Sequence, residues 1–184
     1  MKVKYGLLFL FLLFVIVVVN IALLTHDKSI NTTIHGLNFQ LGTEHISNVQ
    51  PETINIKGSL SKSLNGIRTF KGSITFEHDL NPIPKDSGDA IIYFDENGYG
   101  PINYGYIEKS GTNDAQPKTF SNGVLFANSD FTLITYLPRT WNAQDGLMFA
   151  GPAPTRQQAL IISNELMKKF LKSVDTGDSP FVLN

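Results

Sequence analysis

Several groups of side chains in this sequence are of the types that do chemistry. Ser59-Leu60-Ser61-Lys62 has the S-x-x-K spacing of an activated serine nucleophile. That arrangement needs a helix, so that the lysine lies one turn on and faces the serine. Here the motif stands where a strand pattern gives way to a turn, and its partner motifs are missing. Asn128-Ser129-Asp130 has the residues of S-D-N in another order, and Lys118-Thr119-Phe120 breaks K-T-G. His26, His35, His45 and His78 show no i, i+4 pair of the kind that holds zinc from a helix. Asp95-Glu96-Asn97 lacks the alternating oxygen ligands of a calcium loop and reads as a solvated turn. No catalytic residue, metal site or cofactor is therefore expected. Glu77, Asp79, Asp89, Asp95, Glu96, Asp130 and Asp145 are the raw material for paired-carboxylate hydrolysis, which requires two of them to converge.

The aromatic residues are more suggestive. Tyr93, Phe94, Tyr99, Tyr104 and Tyr106 fall within one short stretch, with Gly98, Gly100 and Gly105 between them. A tyrosine joins an apolar body to a polar tip, which suits contact surfaces. Trp141 stands in a polar loop, where it either folds back onto the core or marks a contact. Tyr93, Tyr99, Tyr104, Tyr106 and Trp141 are the expected ligand or partner contacts.

The elements that must carry these residues are mostly strands. Leu37, Phe39 and Leu41 alternate with polar neighbours, as do Ile54, Ile56 and Leu60. Phe70, Gly72, Ile74, Phe76, His78 and Leu80 share one face of the cleanest run, with Thr69, Lys71, Ser73, Thr75, Glu77 and Asp79 on the other. Such alternation marks strands with one buried and one wet face, and hence an antiparallel sheet. Asn65-Gly66 between two of these runs predicts a hairpin. Further strands are expected over Ala90–Phe94, from Ile102 to about Glu108, over Val124–Ala127, Phe131–Leu137 and Leu147–Ala150, with a long polar loop from Ser110 to Gly123. The period then changes to that of a helix. Thr155 and Gln158 make a capping box, and Ala159, Ile162, Leu166, Phe170 and Val174 make an apolar stripe over Arg156–Val174. This predicts an α+β domain of about six to eight mainly antiparallel strands, with the C-terminal helix packed on the buried face of the sheet.

Before the domain lies Leu7–Leu24, 18 residues whose only polar member is Asn20. As a helix it spans roughly 27 Å, close to the hydrocarbon thickness of a bilayer. Lys2 and Lys4 precede it, which places residues 1–6 in the cytoplasm and the domain outside. A cleaved secretory signal has the same basic start, but cutting after Ala22 would put Asn20 where a small residue belongs. The segment is accordingly expected to be an uncleaved signal-anchor, with Leu7, Phe11, Val15, Val19 and Leu24 against lipid. Residues 25–33 are expected to be a juxtamembrane linker and 34–184 the extracytoplasmic domain.

The chain has no cysteine, which removes disulfides and thiolate chemistry and suits a bacterial envelope. Beyond Lys2 and Lys4, 13 of the 15 basic residues face all 16 acidic ones, so no basic excess exists to hold nucleic acid. These readings converge on a single-pass, membrane-anchored binding module at the cell envelope. Its partners are the lipid bilayer and an envelope or extracellular protein; an immunity-type protein against a toxin acting outside the membrane is one version. The competing expectation is a small envelope hydrolase using paired carboxylates.

Overall fold

The computed structural model describes residues 11–15, 27–78, 82–110, 114–174 and 181–184. Eight strands follow one another: β1 (Lys28–Gln40), β2 (Val49–Lys62), β3 (Arg68–Phe76), β4 (Ala90–Phe94), β5 (Tyr99–Ser110), β6 (Asp114–Ala127), β7 (Ile134–Leu137) and β8 (Leu147–Gly151). Each pairs antiparallel with its predecessor, and β8 returns to pair with β1 from Leu37↔Ala150 to Gln40↔Leu147. The sheet thus closes on itself as an up-and-down barrel. One helix, α1 (Arg156–Val174), follows it.

The inward positions are the apolar members of the alternating runs. Ile30 and Ile34 of β1 meet Ile54, Ile56 and Leu60 of β2, Phe70 and Ile74 of β3, Ile92 and Phe94 of β4, and Tyr136 and Phe149 of β7 and β8. An eight-stranded barrel leaves an interior about wide enough for side chains to fill, and these fill it. One end is stoppered by Phe131, whose ring lies 5.4 Å from that of Phe70 and 5.6 Å from that of Phe94. Phe131 has φ 59°, an unfavourable conformation for a bulky residue. Asn128 holds the loop in place: its Oδ1 accepts the amides of Thr132 (3.0 Å) and Leu133 (3.1 Å). Over the same end, the Arg68 guanidinium donates to the carbonyls of Ala127 and Asn128 and lies 4.9 Å above the Phe94 ring.

A second core lies outside the barrel. Leu37, Phe39, Leu41, Phe126, Leu137, Met148 and Ala150 point outward and are covered by Ala159, Met167 and Leu171 of α1. The helix spans the expected residues, and its N-terminus is capped as expected: the Gln158 amide donates to Thr155 Oγ1 at 3.3 Å. Arg156 ties it to the wall by donating to the carbonyls of Gln40 (3.0 Å) and Gly42 (3.2 Å).

Four expectations need correction. The sheet is closed and the fold mostly β, so α1 covers its outer wall rather than its buried face. Period-2 alternation says which residues share a side; it does not say how the sheet curves. The expected loop from Ser110 to Gly123 is largely strand, since β5 and β6 form a long hairpin. Residues 115–119 of this hairpin are exposed, so nothing selects apolar residues there and no alternation marks the strand. Phe131 stoppers the barrel and β7 begins only at Ile134. The expected linker over 25–33 is shorter, because β1 already begins at Lys28 and buries Ile30. Of Leu7–Leu24, residues 11–15 are described; they are helical and exposed, and the remainder, with Leu7, Val19 and Leu24, lies outside the described residues. Among the described residues no helix is long and apolar enough to cross a membrane.

Closure depends on glycine at inward positions. Gly58 and Gly72 face each other across β2 and β3. A Cβ on Gly72 would stand 2.2 Å from the Lys57 carbonyl oxygen and 2.5 Å from the Gly58 Cα. Gly72→Ala is therefore expected to cost about 1–3 kcal/mol through overpacking. Gly105→Ala, where nothing lies within 4 Å of a built Cβ, should change stability by less than about 0.5 kcal/mol. Urea midpoints of the two variants check this, and equal losses would refute the account of closure.

Candidate functional site

With the barrel interior filled, a contact site must lie on the outer wall or at one of the barrel ends. On the wall the edge of α1 leaves β5–β7 partly uncovered and forms a cleft of about 330 Å³. Its walls are aromatic. The Tyr99 ring stacks on Phe126 at 4.7 Å, and Phe170 of α1 meets both edge-on at 5.4 and 5.5 Å. Trp141, from the loop between β7 and β8, lies 6.4 Å from Phe170. Its backbone amide donates to the Pro138 carbonyl, which fixes the loop, while its indole Nε1 is buried without an acceptor. Arg139 stands exposed at the rim with its guanidinium 5.4 Å over the Phe120 ring. The cleft therefore offers apolar faces and a cation at the mouth. The volume lies at the low end of the range for small-molecule sites, enough for one or two side chains of a partner.

Of the five expected contacts, Tyr99 and Trp141 line this cleft, and the other three tyrosines go elsewhere. Tyr93 is on the outer face of β4, 61 % exposed, beside a hollow of about 560 Å³ that also takes in Asn65, Ile67 and Asp95. Tyr104 points into the barrel and is buried, its hydroxyl 3.5 Å from the Ile74 carbonyl oxygen. It borders a third hollow, of about 430 Å³, under the loop that carries Asp86 and Asp89. Tyr106 stands half-buried on the projecting β5–β6 hairpin. Two members of the cleft escaped the sequence reading. Phe170 looked like one more residue of an apolar helical stripe, and Arg139 lay in an unpatterned loop.

The remaining candidates are also placed. Ser59 and Lys62 lie three apart on one strand, hence on opposite faces, and cannot act as a pair. Asp95 is consumed by its turn: Oδ1 accepts the amides of Asn97 and Tyr99, and Oδ2 accepts from the Asn97 side chain. His35 meets Thr53 Oγ1 at 3.2 Å, and His45 lies 3.7 Å from Glu44. Asp79 and His26 lie outside the described residues.

One cluster was not anticipated. Glu77 and His78 close on Glu52, with ligating atoms of all three within 4.8 Å of one another. Glu52 is buried at the barrel end opposite Phe131. Its Oε1 accepts the amides of Thr53, Glu77 and His78, and its Oε2 receives Asn38 Nδ2 at 2.9 Å. Four donors hold the Glu52 carboxylate in one orientation, which suits an anchor or ligand. Glu52 was missed because it reads as a polar residue preceding a strand; its inward direction follows only once β2 is known to begin at Val49.

No family model matches the sequence, and neither the curated proteins nor the solved structures contain a significant match.

Burial, followed by the negative charge and hydrogen bonding of Asp95, raises the Tyr99 pKa above its ordinary value. The folded state therefore favours the protonated phenol. The associated stability is full below the unfolded pKa of about 10 and is lost as pH rises through the higher folded value. The wild-type protein should lose stability above about pH 10 more steeply than Tyr99→Phe. Urea midpoints measured between neutral and strongly alkaline pH check this; parallel curves would contradict it.

Proposed function

We propose that this protein is a membrane-anchored, non-catalytic binding module of a bacterial cell envelope, held outside the membrane by Leu7–Leu24. Its partner is an envelope or extracellular protein, which contacts the cleft between the barrel and α1. The observation that carries the reading is the set of aromatic rings, Tyr99, Phe126, Trp141 and Phe170, that line the cleft. Aromatic anchors at the centre of a small pocket, with a cation at its rim, are the composition of interface hot spots. An immunity-type role against a toxin acting outside the membrane needs no more than this.

The distribution of exposed apolar residues supports the tether. Leu64 (72 % exposed) and Ile67 (47 %) form the tip of the β2–β3 hairpin, and Tyr93 stands beside Ile67. All three are at the barrel end where β1 begins. Lys28 pairs with Leu60, and Leu64 lies four residues beyond Leu60, as Leu24 lies four before Lys28. The hairpin tip and the start of β1, which the apolar segment precedes in sequence, are thus at the same end of the barrel.

The second reading, a paired-carboxylate hydrolase, gains from the approach of Glu77 to Glu52. It is weakened because both oxygens of Glu52 are engaged. None of the three hollows described above takes in either residue. Turnover of a wall polymer by the wild type that is lost in Glu77→Gln would favour it.

Two measurements test the proposal. A photo-cross-linking amino acid at position 139 of the full chain, expressed in bacterial membranes, should give a discrete adduct. Trp141→Ala should weaken that adduct by about tenfold or more, the effect of losing a hot-spot residue; no adduct at 139 would sink the cleft as the contact. The absence of native cysteine allows the tether to be read separately. An environment-sensitive dye on Leu64→Cys in proteoliposomes should shift to the blue and be quenched by nitroxide lipids, while the same dye on Gln116→Cys should not. Equal responses at the two positions would remove the expected orientation.

A further inference from the structure

We infer that Glu52, Glu77 and His78 form a binding site for a divalent transition-metal ion of the zinc type, at the barrel end opposite the Phe131 stopper. The inference is independent of the cleft and of the tether. His78 Nδ1 stands 3.3 Å from Glu52 Oε2. That is the spacing of two ligands in a tetrahedral site, where bonds of about 2.0–2.1 Å separate ligand atoms by roughly 3.3–3.4 Å. The Glu77 carboxylate supplies the third ligand within 4.8 Å.

The central ligand is pre-organised. Three backbone amides hold Glu52 Oε1, at 2.9 to 3.2 Å. The carboxylate is thereby fixed in direction, with Oε2 turned toward His78. Supporting bonds of this kind orient ligands in metal sites. A second observation points to a missing ligand. Asn38, 4 % exposed, lies against the cluster with its Nδ2 on Glu52 Oε2, and its Oδ1 has no hydrogen-bond partner. Glu77 and His78 are exposed, so an ion reaches the site from solvent and keeps an open coordination position.

The ligand set selects the cation. One imidazole and two carboxylates suit zinc or manganese, with zinc the tighter by the usual order of affinities. Magnesium and calcium prefer sites built from oxygen alone. The ion joins the residues that follow β3 to the first residues of β2, and so fastens that end of the barrel.

Titration of the full chain in detergent micelles with zinc chloride, followed by calorimetry and thermal melting, tests the site. One equivalent of zinc should bind and raise the melting temperature. Manganese should bind more weakly, and magnesium should give no saturable signal. His78→Ala and Glu77→Gln should each weaken zinc binding by about tenfold or more, the scale seen even for supporting residues. Both change exposed side chains, so an unchanged far-ultraviolet circular dichroism spectrum shows that the fold is retained. His35→Ala and His45→Ala should bind zinc as the wild type does. The inference is overturned if the wild type takes up no zinc stoichiometrically, if His78→Ala binds equally well, or if binding follows His35 or His45 instead.

Discussion

The structure depends on β1 belonging to two cores at once. Its first half turns Ile30 and Ile34 into the barrel, where they meet β2 and the rest of the inward set. Its second half pairs with β8 and turns Leu37, Phe39 and Leu41 outward beneath the helix. The β1–β8 pairing therefore does two things. It removes both edges of the sheet, which would otherwise present unpaired amides and carbonyls. It also creates the apolar outer wall that α1 must cover. Without closure the helix has no continuous surface to lie on, and without the helix the closing strands expose Phe39, Met148 and Ala150 to water.

How much of this was legible follows from what each signal reports. The inward faces of β2 and β3 were readable because alternation records which side of a strand is buried, and the register bears it out: Ile54↔Phe76, Ile56↔Ile74 and Leu60↔Phe70. The helix and its cap were readable because their signals are local. Closure was not, since it rests on a pairing between residues more than a hundred positions apart. A trace of it existed in Gly58 and Gly72, which fall on the inward faces of their strands. There a missing side chain lets two backbones approach and the sheet turn a corner. The cleft was half legible. Tyr99 and Trp141 stand out by type, but Phe126 and Phe170 join them only because α1 crosses the wall at that height.

The filled interior decides where function can reside. Many barrels of this strand number carry a ligand inside; here Phe70, Phe94, Phe131, Tyr136 and Phe149 occupy that volume. What remains for recognition is the outer wall and the two ends, and these differ in chemistry. The end near Lys28 carries apolar side chains on a hairpin tip. The opposite end carries Glu52, Glu77 and His78. The wall between them carries the aromatic cleft.

The helix that seals the second core also builds the cleft. Met167 and Leu171 are buried against the wall, while Phe170, between them in sequence, is only partly covered and faces Tyr99, Phe126 and Trp141. The C-terminal residues extend the same unit: Asn164 accepts the amide of Leu183 at 2.9 Å and donates to its carbonyl at 3.1 Å, and the Gly42 amide donates to the Asn184 carbonyl. The aromatic wall is thus fixed by the packing that stabilises the fold, not by a separate mobile loop. A partner filling the cleft meets rings already in position and loses little to ordering them, which is the condition under which a small contact can bind tightly.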